Sequence, residues 1–201
     1  MHLITIIGFL GSGKTTLLLQ LAHFARKHRK KVAILVNEVG EIGVDDQMIQ
    51  RLGFDVRKLL GGCICCTLSG DIIETIETLQ RSEQPDLVLI EPSGAANPRN
   101  LIRILDKRHS DNMEKYTKIA LIDPLRLDAL MTVASPLIIS SLESADMILI
   151  NKADAATTEE MNFARQTVLA HSPNVPVTPV SAKSDLADWI SMEVFSWPNS
   201  D

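Results

Sequence analysis

The sequence has 201 residues, of which 45% are hydrophobic and 22% charged, and its formal net charge is −5. This composition fits one globular α/β domain with a sizeable core and leaves no room for a second full domain. The acidic balance argues against a nucleic-acid-binding protein, because phosphate backbones are recognised by an excess of Lys and Arg.

The sequence gives no sign of a membrane segment. No apolar run approaches membrane-spanning length, and the apolar stretch at residues 3–10 has no basic segment before it. We therefore expect no signal peptide, no membrane partner and a cytoplasmic location. The basic run at residues 26–31 falls where the first predicted helix ends, and we interpret it as a solvated helix terminus.

Short apolar runs bounded by polar or glycine residues predict buried parallel strands. In chain order they occupy residues 4–7, 32–36, 87–90, 119–122, 147–150 and 177–180, with 54–60 as a further candidate. Helical periodicity occupies residues 15–27, 71–80 and 159–170. The residues after Trp189 are expected to form a short, poorly specified tail. This alternation predicts an α/β fold of three α/β/α layers, with a mostly parallel, doubly wound sheet and a single domain over residues 1–201.

An unbroken G-x-x-x-x-G-K-[ST] motif lies at residues 8–15, between the first predicted strand and the first predicted helix. Its glycines let successive backbone N–H groups face one anion, and the helix adds the positive end of its dipole. We expect Lys14 to reach the β- and γ-phosphates and the Thr15 hydroxyl to bind Mg²⁺. The other predicted phosphate contacts are Gly11, Ser12, Gly13 and Thr16. The motif predicts a P-loop NTPase fold that binds a nucleoside triphosphate.

Two late segments, each directly after a predicted strand, look like the guanine-recognition motifs of GTPases. They are Asn151-Lys152-Ala153-Asp154 and Ser181-Ala182-Lys183. The Asp154 carboxylate can accept from N1–H and the 2-amino group of guanine, whereas adenine presents a lone pair and no second donor. The Lys152 stem can lie across the base, and the Ala182 N–H can reach O6. We therefore expect GTP to be preferred over ATP.

Three cysteines fall within four positions, directly after a pair of glycines: Cys63, Cys65 and Cys66. Three thiolates favour Zn²⁺ or Cu(I) and leave one tetrahedral position for a carboxylate, water or a group from a client protein. Such an incomplete ligand set suits a metal that is handed over. The residues leave two alternatives open, a redox pair formed by Cys63 with Cys65 or Cys66, and three packed inert thiols.

The order of these motifs closely resembles the GTPase domain of CobW-like proteins, in the group that also holds HypB, UreG and the methylmalonyl-CoA mutase chaperone. The segments that carry the resemblance are residues 8–16, 37–45, 61–66, 91–94 and 151–154. The resemblance covers nearly the whole chain. It implies a GTPase that uses GTP with Mg²⁺ and works as a metallochaperone or inserts a cofactor, and it makes a homodimer plausible.

The resemblance also assigns roles to residues outside the P-loop. It places Glu41 and Asp45 near Mg²⁺ or the attacking water, and Glu91 at the Walker B position, so that these three join Lys14 as candidate catalytic residues. The N–H of Gly94 is a candidate γ-phosphate contact. A role as a solvated surface charge stays open for Glu41.

Three further positions complete the comparison with the family pattern. Glu38 is a candidate metal ligand or a surface charge, and Asp123 matches a family position or only caps a turn. Val39 stands where the pattern has an aromatic residue, which is a conservative packing change. CobW-like chains continue through a histidine-rich connector into a further domain, whereas this sequence ends at Asp201. We therefore expect client recognition to be absent or to be supplied by another protein.

The leading hypothesis is a GTP-gated carrier that delivers zinc or another transition metal to a client metalloenzyme. Intrinsic turnover is expected to be slow, since no arginine finger is evident in the sequence. One alternative is a GTPase chaperone that loads or reactivates a corrinoid-dependent protein. Another is a nucleotide-dependent metal sensor that does not hydrolyse GTP.

Overall fold

The computed structural model describes residues 1–36, 56–58, 68–94, 97–107 and 113–195, and of residues 56–58 and 68–71 it describes only the backbone. Within these residues the strands are β1 His2–Gly8, β2 Val32–Val36, β3 Val56–Lys58, β4 Leu87–Glu91, β5 Lys115–Ile122, β6 Met147–Ile150 and β7 Val177–Pro179. All of their pairings are parallel, and the strand order is β3-β2-β4-β1-β5-β6-β7. The helices are α1 Lys14–Lys27, α2 Leu68–Ser82, α3 Pro98–Lys107, α4 Pro124–Glu143, α5 Thr158–His171 and α6 Ala187–Trp189, and a π-helical turn follows at Ile190–Val194.

Alternate residues of each strand pack against different helical layers, as the period of two requires. In β1, Ile4 and Ile6 pack in one cluster with α1 and with Ile190, Val194 and Phe195 near the C-terminus. Leu3 and Ile7 point to the opposite face, where the cores are completed by α2, α3, α4 and α5. The three α/β/α layers and the parallel, doubly wound sheet are therefore confirmed.

Local sequence signals explain several helix starts. α5 begins with a capping box, in which the Thr157 hydroxyl accepts from the Glu160 N–H and the Glu160 carboxylate accepts from the Thr157 N–H. α4 begins with Asp123 as its cap, accepting from the Leu125 N–H, and with Pro124 at the first helical position. These signals fix where two of the crossover helices leave the sheet.

The predicted strands all form, and the candidate at residues 54–60 corresponds to β3, which is three residues long. The sequence analysis did not predict α3 or α4. α4 carries apolar residues on its exposed side as well, including Leu125 and Val133, and has non-helical backbone angles at Ala134, two residues before Pro136, so its sequence lacks a clear helical period. α3 has a clear helical pattern that the sequence analysis overlooked, with Leu101, Ile102, Ile104 and Leu105 on its packed face.

The prediction of a short, poorly specified tail after Trp189 is wrong for residues 190–195. Ile190, Val194 and Phe195 are almost completely buried and pack in the same cluster as α1. Phe195 stacks on Phe24, with the ring centroids 5.9 Å apart. Their spacing of four and one residues fits a single helical turn with an apolar face, which is too short to stand out in a sequence.

α4 is also long and apolar enough to pass a length-and-composition test for a membrane span, contrary to the expectation that no run reaches that length. This helix connects β5 to β6, which are adjacent parallel strands. It buries Leu127, Leu130, Ile138 and Leu142 against the sheet. Only 28% of its most apolar stretch is buried, so packing in the core accounts for part of its apolar sequence.

A buried histidine at the start of β1 makes stability depend on pH. The His2 Nε2 lies 2.9 Å from the Thr117 Oγ1, and its ring meets Phe195 edge-on. Burial, with smaller effects of Lys115 and the N-terminal amine, lowers the pKa of His2 from 6.5 to about 4. Between these values the unfolded chain binds more protons, so the stabilisation is present above pH 6.5 and is lost as the pH falls towards 4.

We therefore expect the free energy of unfolding to fall between pH 6.5 and 4, with at most about 3 kcal/mol of the loss due to His2. Denaturant unfolding of the wild type and of His2→Gln across this range checks the prediction, because other groups titrate equally in both proteins. The variant should lose less stability on acidification. Parallel pH profiles in the two proteins would contradict it.

Candidate nucleotide-binding site

The predicted site residues that the structure describes meet at the carboxyl edge of the sheet. β1 lies between β4 and β5, so the P-loop after β1 is flanked by the segments that follow those two strands. The segments after β6 and β7 continue the same edge. Ligands of open α/β sheets bind at this edge, close to the strand where the winding direction reverses.

The P-loop curls around the ammonium group of Lys14. The Lys14 side chain is only 6% exposed, and its Nζ lies 3.4 Å from the carbonyl oxygen of Phe9, which it contacts as a donor. Gly13 caps α1 with a φ of 100°, and a Cβ at this position would overlap the Nδ2 of Asn151. The first turn of α1 carries no acidic residue, so its positive dipole end is not offset there.

A carboxylate and a hydroxyl converge beside that ammonium group. The Thr15 hydroxyl donates to the Oε1 of Glu91 at 3.1 Å, and the same oxygen lies 3.8 Å from the Lys14 Nζ. Hydroxyl and carboxylate oxygens are the ligands that Mg²⁺ prefers, so Thr15 and Glu91 fit a magnesium site, directly or through water. When bound, such an ion supplies positive charge to the β- and γ-phosphate oxygens.

Gly94 closes the phosphate end of the site. A Cβ at Gly94 would lie 2.8 Å from the Lys14 Nζ and 2.8 Å from the backbone nitrogen of Leu10. Any side chain there would push against the P-loop and its ammonium group. The position therefore suits a backbone N–H that approaches a terminal phosphate, as predicted, although no contact in the structure tests that role.

Asn151 connects the two ends of the site. Its Nδ2 donates to the carbonyl oxygen of Ser12 in the P-loop at 2.7 Å, and its Oδ1 accepts from the Ala182 N–H at 2.8 Å. The side chain is 2% exposed, so both bonds are made away from solvent. One side chain thus holds the P-loop and the segment after β7 in a fixed relation.

Lys152 is held by a buried acid. Its Nζ donates to the Oδ2 of Asp123 at 2.6 Å, while the other oxygen of Asp123 caps α4. Lys152 has a φ of 59°, a left-handed conformation that is uncommon for a residue with a side chain. The Ala153 N–H donates to the Val180 carbonyl oxygen at 3.0 Å, which ties this turn to the end of β7.

The remaining guanine-motif residues lie at the surface beside this framework. Asp154 and Lys183 are exposed, and Ser181 is half-buried. The predicted contact between Ala182 and O6 of guanine needs adjustment, because the Ala182 N–H already donates to Asn151. A guanine contact through that group requires the bond to be shared or exchanged.

Several predicted residues lie outside the described part of the chain, and their placement is not tested. They are Glu38, Glu41, Asp45, Cys63, Cys65 and Cys66. Within the described ranges, no group of three or more His, Cys, Asp or Glu residues could hold a metal ion. The metal site therefore stays a prediction from the sequence.

Sequence reasoning missed two residues that contact the site loops. Arg126 donates through its Nη1 to the carbonyl oxygen of Leu10 at 3.0 Å, which places a cation beside the P-loop. Gln20 makes three hydrogen bonds to the backbone of the segment after β7. Neither has a local signal, since an arginine or a glutamine on a helix surface is ordinary. The sequence did indicate Asp123, because it lies between a predicted strand and a proline. Nothing in the sequence indicated its hydrogen bond to Lys152.

The P-loop, the carboxylate at the end of β4 and the Asn-Lys-x-Asp turn after β6 define a P-loop nucleotide-binding domain of the GTPase class. A family model described as "CobW/HypB/UreG, nucleotide-binding domain" matches residues 2–179. The chain belongs to this family.

Relatives with curated names include two zinc chaperones of Escherichia coli K12. YeiR is 35% identical over 156 residues, which cover 77% of this chain and 47% of YeiR. YjiA is 33% identical over 185 residues, which cover 86% of this chain and 56% of YjiA. The chain spans about half the length of these relatives.

Two solved structures show the same fold. The Zn(II)-bound YjiA GTPase from E. coli has a TM-score of 0.63 at 23% identity, covering 88% of this chain and 56% of YjiA. HypB from Helicobacter pylori in complex with nickel has a TM-score of 0.64 at 19% identity, covering 92% of this chain and 80% of HypB. At these identities the likeness concerns the fold.

Proposed function

We propose that the protein binds GTP with Mg²⁺, hydrolyses it slowly and uses the nucleotide state to control the transfer of a transition metal, with Zn²⁺ as the first candidate, to a client metalloprotein. The observation that carries the nucleotide part is the pair of Asn151 bonds to Ser12 and Ala182. They set a phosphate-binding loop and a guanine-type loop at a fixed separation, as a ligand with a triphosphate at one end and a base at the other requires.

For hydrolysis, the oxygen of a water molecule forms a bond to the γ-phosphorus, and the bond from that phosphorus to the β–γ bridging oxygen breaks. The products are GDP and inorganic phosphate. Lys14 and the P-loop N–H groups offset the negative charge that develops on the phosphate oxygens. We infer that Glu41 or Asp45 orients the water. Turnover is expected to be slow, because no arginine finger is evident in the sequence.

The metal part of the proposal rests on the cysteine spacing and on the relatives. In the sequence, Cys63, Cys65 and Cys66 fall between residues 37–45 and Glu91, and we infer that GTP fixes one arrangement of residues 37–67 that hydrolysis releases. The curated relatives YeiR and YjiA are named zinc chaperones. We infer that Zn²⁺ is the cargo, that Glu38 can add a ligand and that a homodimer brings two cysteine segments together.

The test is the Zn²⁺ affinity of the anaerobically purified protein with a non-hydrolysable GTP analogue, with GDP and without nucleotide, each with Mg²⁺. We expect the affinities to differ by roughly 5- to 150-fold, the range of ordinary coupling between two sites. Equal affinities in the three states would exclude gating. A triple Cys63→Ser, Cys65→Ser, Cys66→Ser variant is the matched control, which should lose Zn²⁺ binding and keep its GTP affinity.

Two further outcomes separate the alternatives. A client whose activation survives Cys66→Ser would favour a chaperone that loads a cofactor such as a corrinoid over a metal carrier. Binding of GTP with no phosphate release in a single-turnover assay would favour a metal sensor. Light scattering on the same samples reports the oligomeric state, for which we expect a dimer with Zn²⁺ bound.

A further inference from the structure

The segment after β7, residues 181–186, is held in place largely by hydrogen bonds to side chains elsewhere in the chain. β7 is the edge strand of the sheet and pairs only with β6 among the described strands. Lys183, Ser184 and Asp185 are exposed, so burial does not fix the backbone there. Ala182 and Leu186 are buried and the Ser184 N–H donates to the Ser181 carbonyl oxygen, so the backbone groups that remain between them depend on hydrogen bonds from other elements.

Gln20 supplies those hydrogen bonds from α1. Its Nε2 donates to the carbonyl oxygens of Ala182 at 2.6 Å and Ser184 at 2.7 Å, and its Oε1 accepts from the Leu186 N–H at 3.1 Å. The amide orientation is determined by these partners, because a flipped amide would set its oxygen against two carbonyl oxygens. Both hydrogens of the amide and its oxygen are therefore used on one loop.

Only glutamine meets this pattern at this position. Glutamate has the same length but cannot donate to the two carbonyl oxygens, and asparagine is one methylene shorter. Gln20 also lies on the helix that begins at Lys14, six residues earlier, which is about 9 Å along the helix axis. The same helix, α1, therefore carries both the ammonium group of Lys14 and the Gln20 side chain that holds the segment after β7.

We propose that Gln20 is a positioning residue for base recognition, which fixes the guanine-type loop relative to the phosphate site through α1. This inference rests on the proposed function, because it requires that residues 181–183 face a guanine base. The loop is then held from two sides, by Asn151 at the Ala182 N–H and by Gln20 at the Ala182 carbonyl oxygen. Loss of the Gln20 hydrogen bonds should let the backbone of residues 182–186 move, while the bond from the Ala182 N–H to Asn151 remains.

The experiment compares Gln20→Glu and Gln20→Leu with the wild type by calorimetry, with GDP, ADP and tripolyphosphate as ligands in the presence of Mg²⁺. We expect Gln20→Glu to raise the Kd for GDP at least about 10-fold, which corresponds to the loss of one to two hydrogen bonds, and to lower the preference for GDP over ADP. The Kd for tripolyphosphate should stay within about twofold, because the P-loop is unchanged.

Gln166→Leu is the matched control, since Gln166 is an exposed glutamine on α5, and it should leave all three Kd values unchanged. Thermal melts report whether the variants fold. Gln20→Glu keeps the carbon skeleton and the acceptor for the Leu186 N–H. If Gln20→Leu does not fold, the result with Gln20→Glu still tests the proposal.

The results also distinguish the two levels of inference. A wild type with no preference for GDP over ADP would overturn the proposed function itself. A wild type that prefers GDP, with Gln20→Glu retaining its Kd or losing GDP and tripolyphosphate affinity by the same factor, would overturn the positioning role alone.

Discussion

Asp154→Asn is expected to change the base preference of the protein from guanine to xanthine. The carboxylate accepts two hydrogen bonds, which suits the N1–H and 2-amino donors of guanine. The amide of Asn offers one acceptor and one donor, so its N–H group meets the 2-amino group of guanine but matches the 2-oxo group of xanthine. The substitution should affect binding and not the stability of the fold, because Asp154 is exposed and removing its charge leaves no buried group unpaired.

We expect the Kd for GTP to rise at least about 100-fold in this variant, since a charged double hydrogen bond is replaced by one good and one repulsive contact. The Kd for XTP should fall, and that for tripolyphosphate should not change. Calorimetry with the three ligands checks the prediction. Asp188→Asn, which alters an exposed carboxylate in α6 by the same atoms, serves as the control. Unchanged GTP affinity in Asp154→Asn would remove the basis for assigning guanine as the base.

The sheet and the motif positions could be predicted from the sequence because both depend on local patterns. Strands that are buried on both faces appear as continuous apolar runs, as residues 32–36 and 147–150 do. The P-loop motif itself marks the turn between a strand and a helix, which here are β1 and α1. The capping box of α5 is equally local. In contrast, α4 has apolar residues on its exposed side and a break at Ala134, and these features weaken the periodic signal on which a helix prediction depends.

The contacts that organise the site could not be predicted, because they join residues far apart in the chain. Gln20 and Ala182 are separated by 162 positions, and Asp123 and Lys152 by 29. A spacing rule identifies Lys152 as a guanine-motif residue but not the acid that holds its ammonium group. Likewise, Phe195 is buried by contacts with α1 and β1, which are far away in the sequence. Its neighbours in the sequence therefore predict only a poorly specified tail.

Lys14→Ala is expected to abolish triphosphate binding while sparing the base subsite. The side chain is 6% exposed, and its Nζ lies between the Phe9 carbonyl oxygen and the Glu91 carboxylate, at 3.4 and 3.8 Å. Its removal takes away the cation that faces the phosphates and also the ion-pair partner of the Glu91 carboxylate. Two unfavourable electrostatic changes therefore act together in a site with little solvent to screen them.

We expect the Kd for GTP to rise at least about 100-fold and turnover to fall by about 10³ or more, as for the loss of a charge that acts on the transferred phosphoryl group. Lys14→Arg should not restore function, because a Cβ at Gly94 would already lie 2.8 Å from the Nζ and a planar guanidinium group needs more room. Lys27→Ala, at the exposed end of the same helix, removes the same charge and should keep both values.

Guanosine separates loss of the phosphate site from loss of the fold. Its affinity should be unchanged in Lys14→Ala, because the Asn151 and Gln20 contacts that position the base loops do not involve the ammonium group. Asp154→Asn should show the opposite pattern, with guanosine affinity lost and tripolyphosphate affinity kept. Loss of both ligands in a variant that keeps its thermal melt would mean that the two subsites do not act as separable halves of one nucleotide site, and in Lys14→Ala it would also contradict the electrostatic assignment of Lys14.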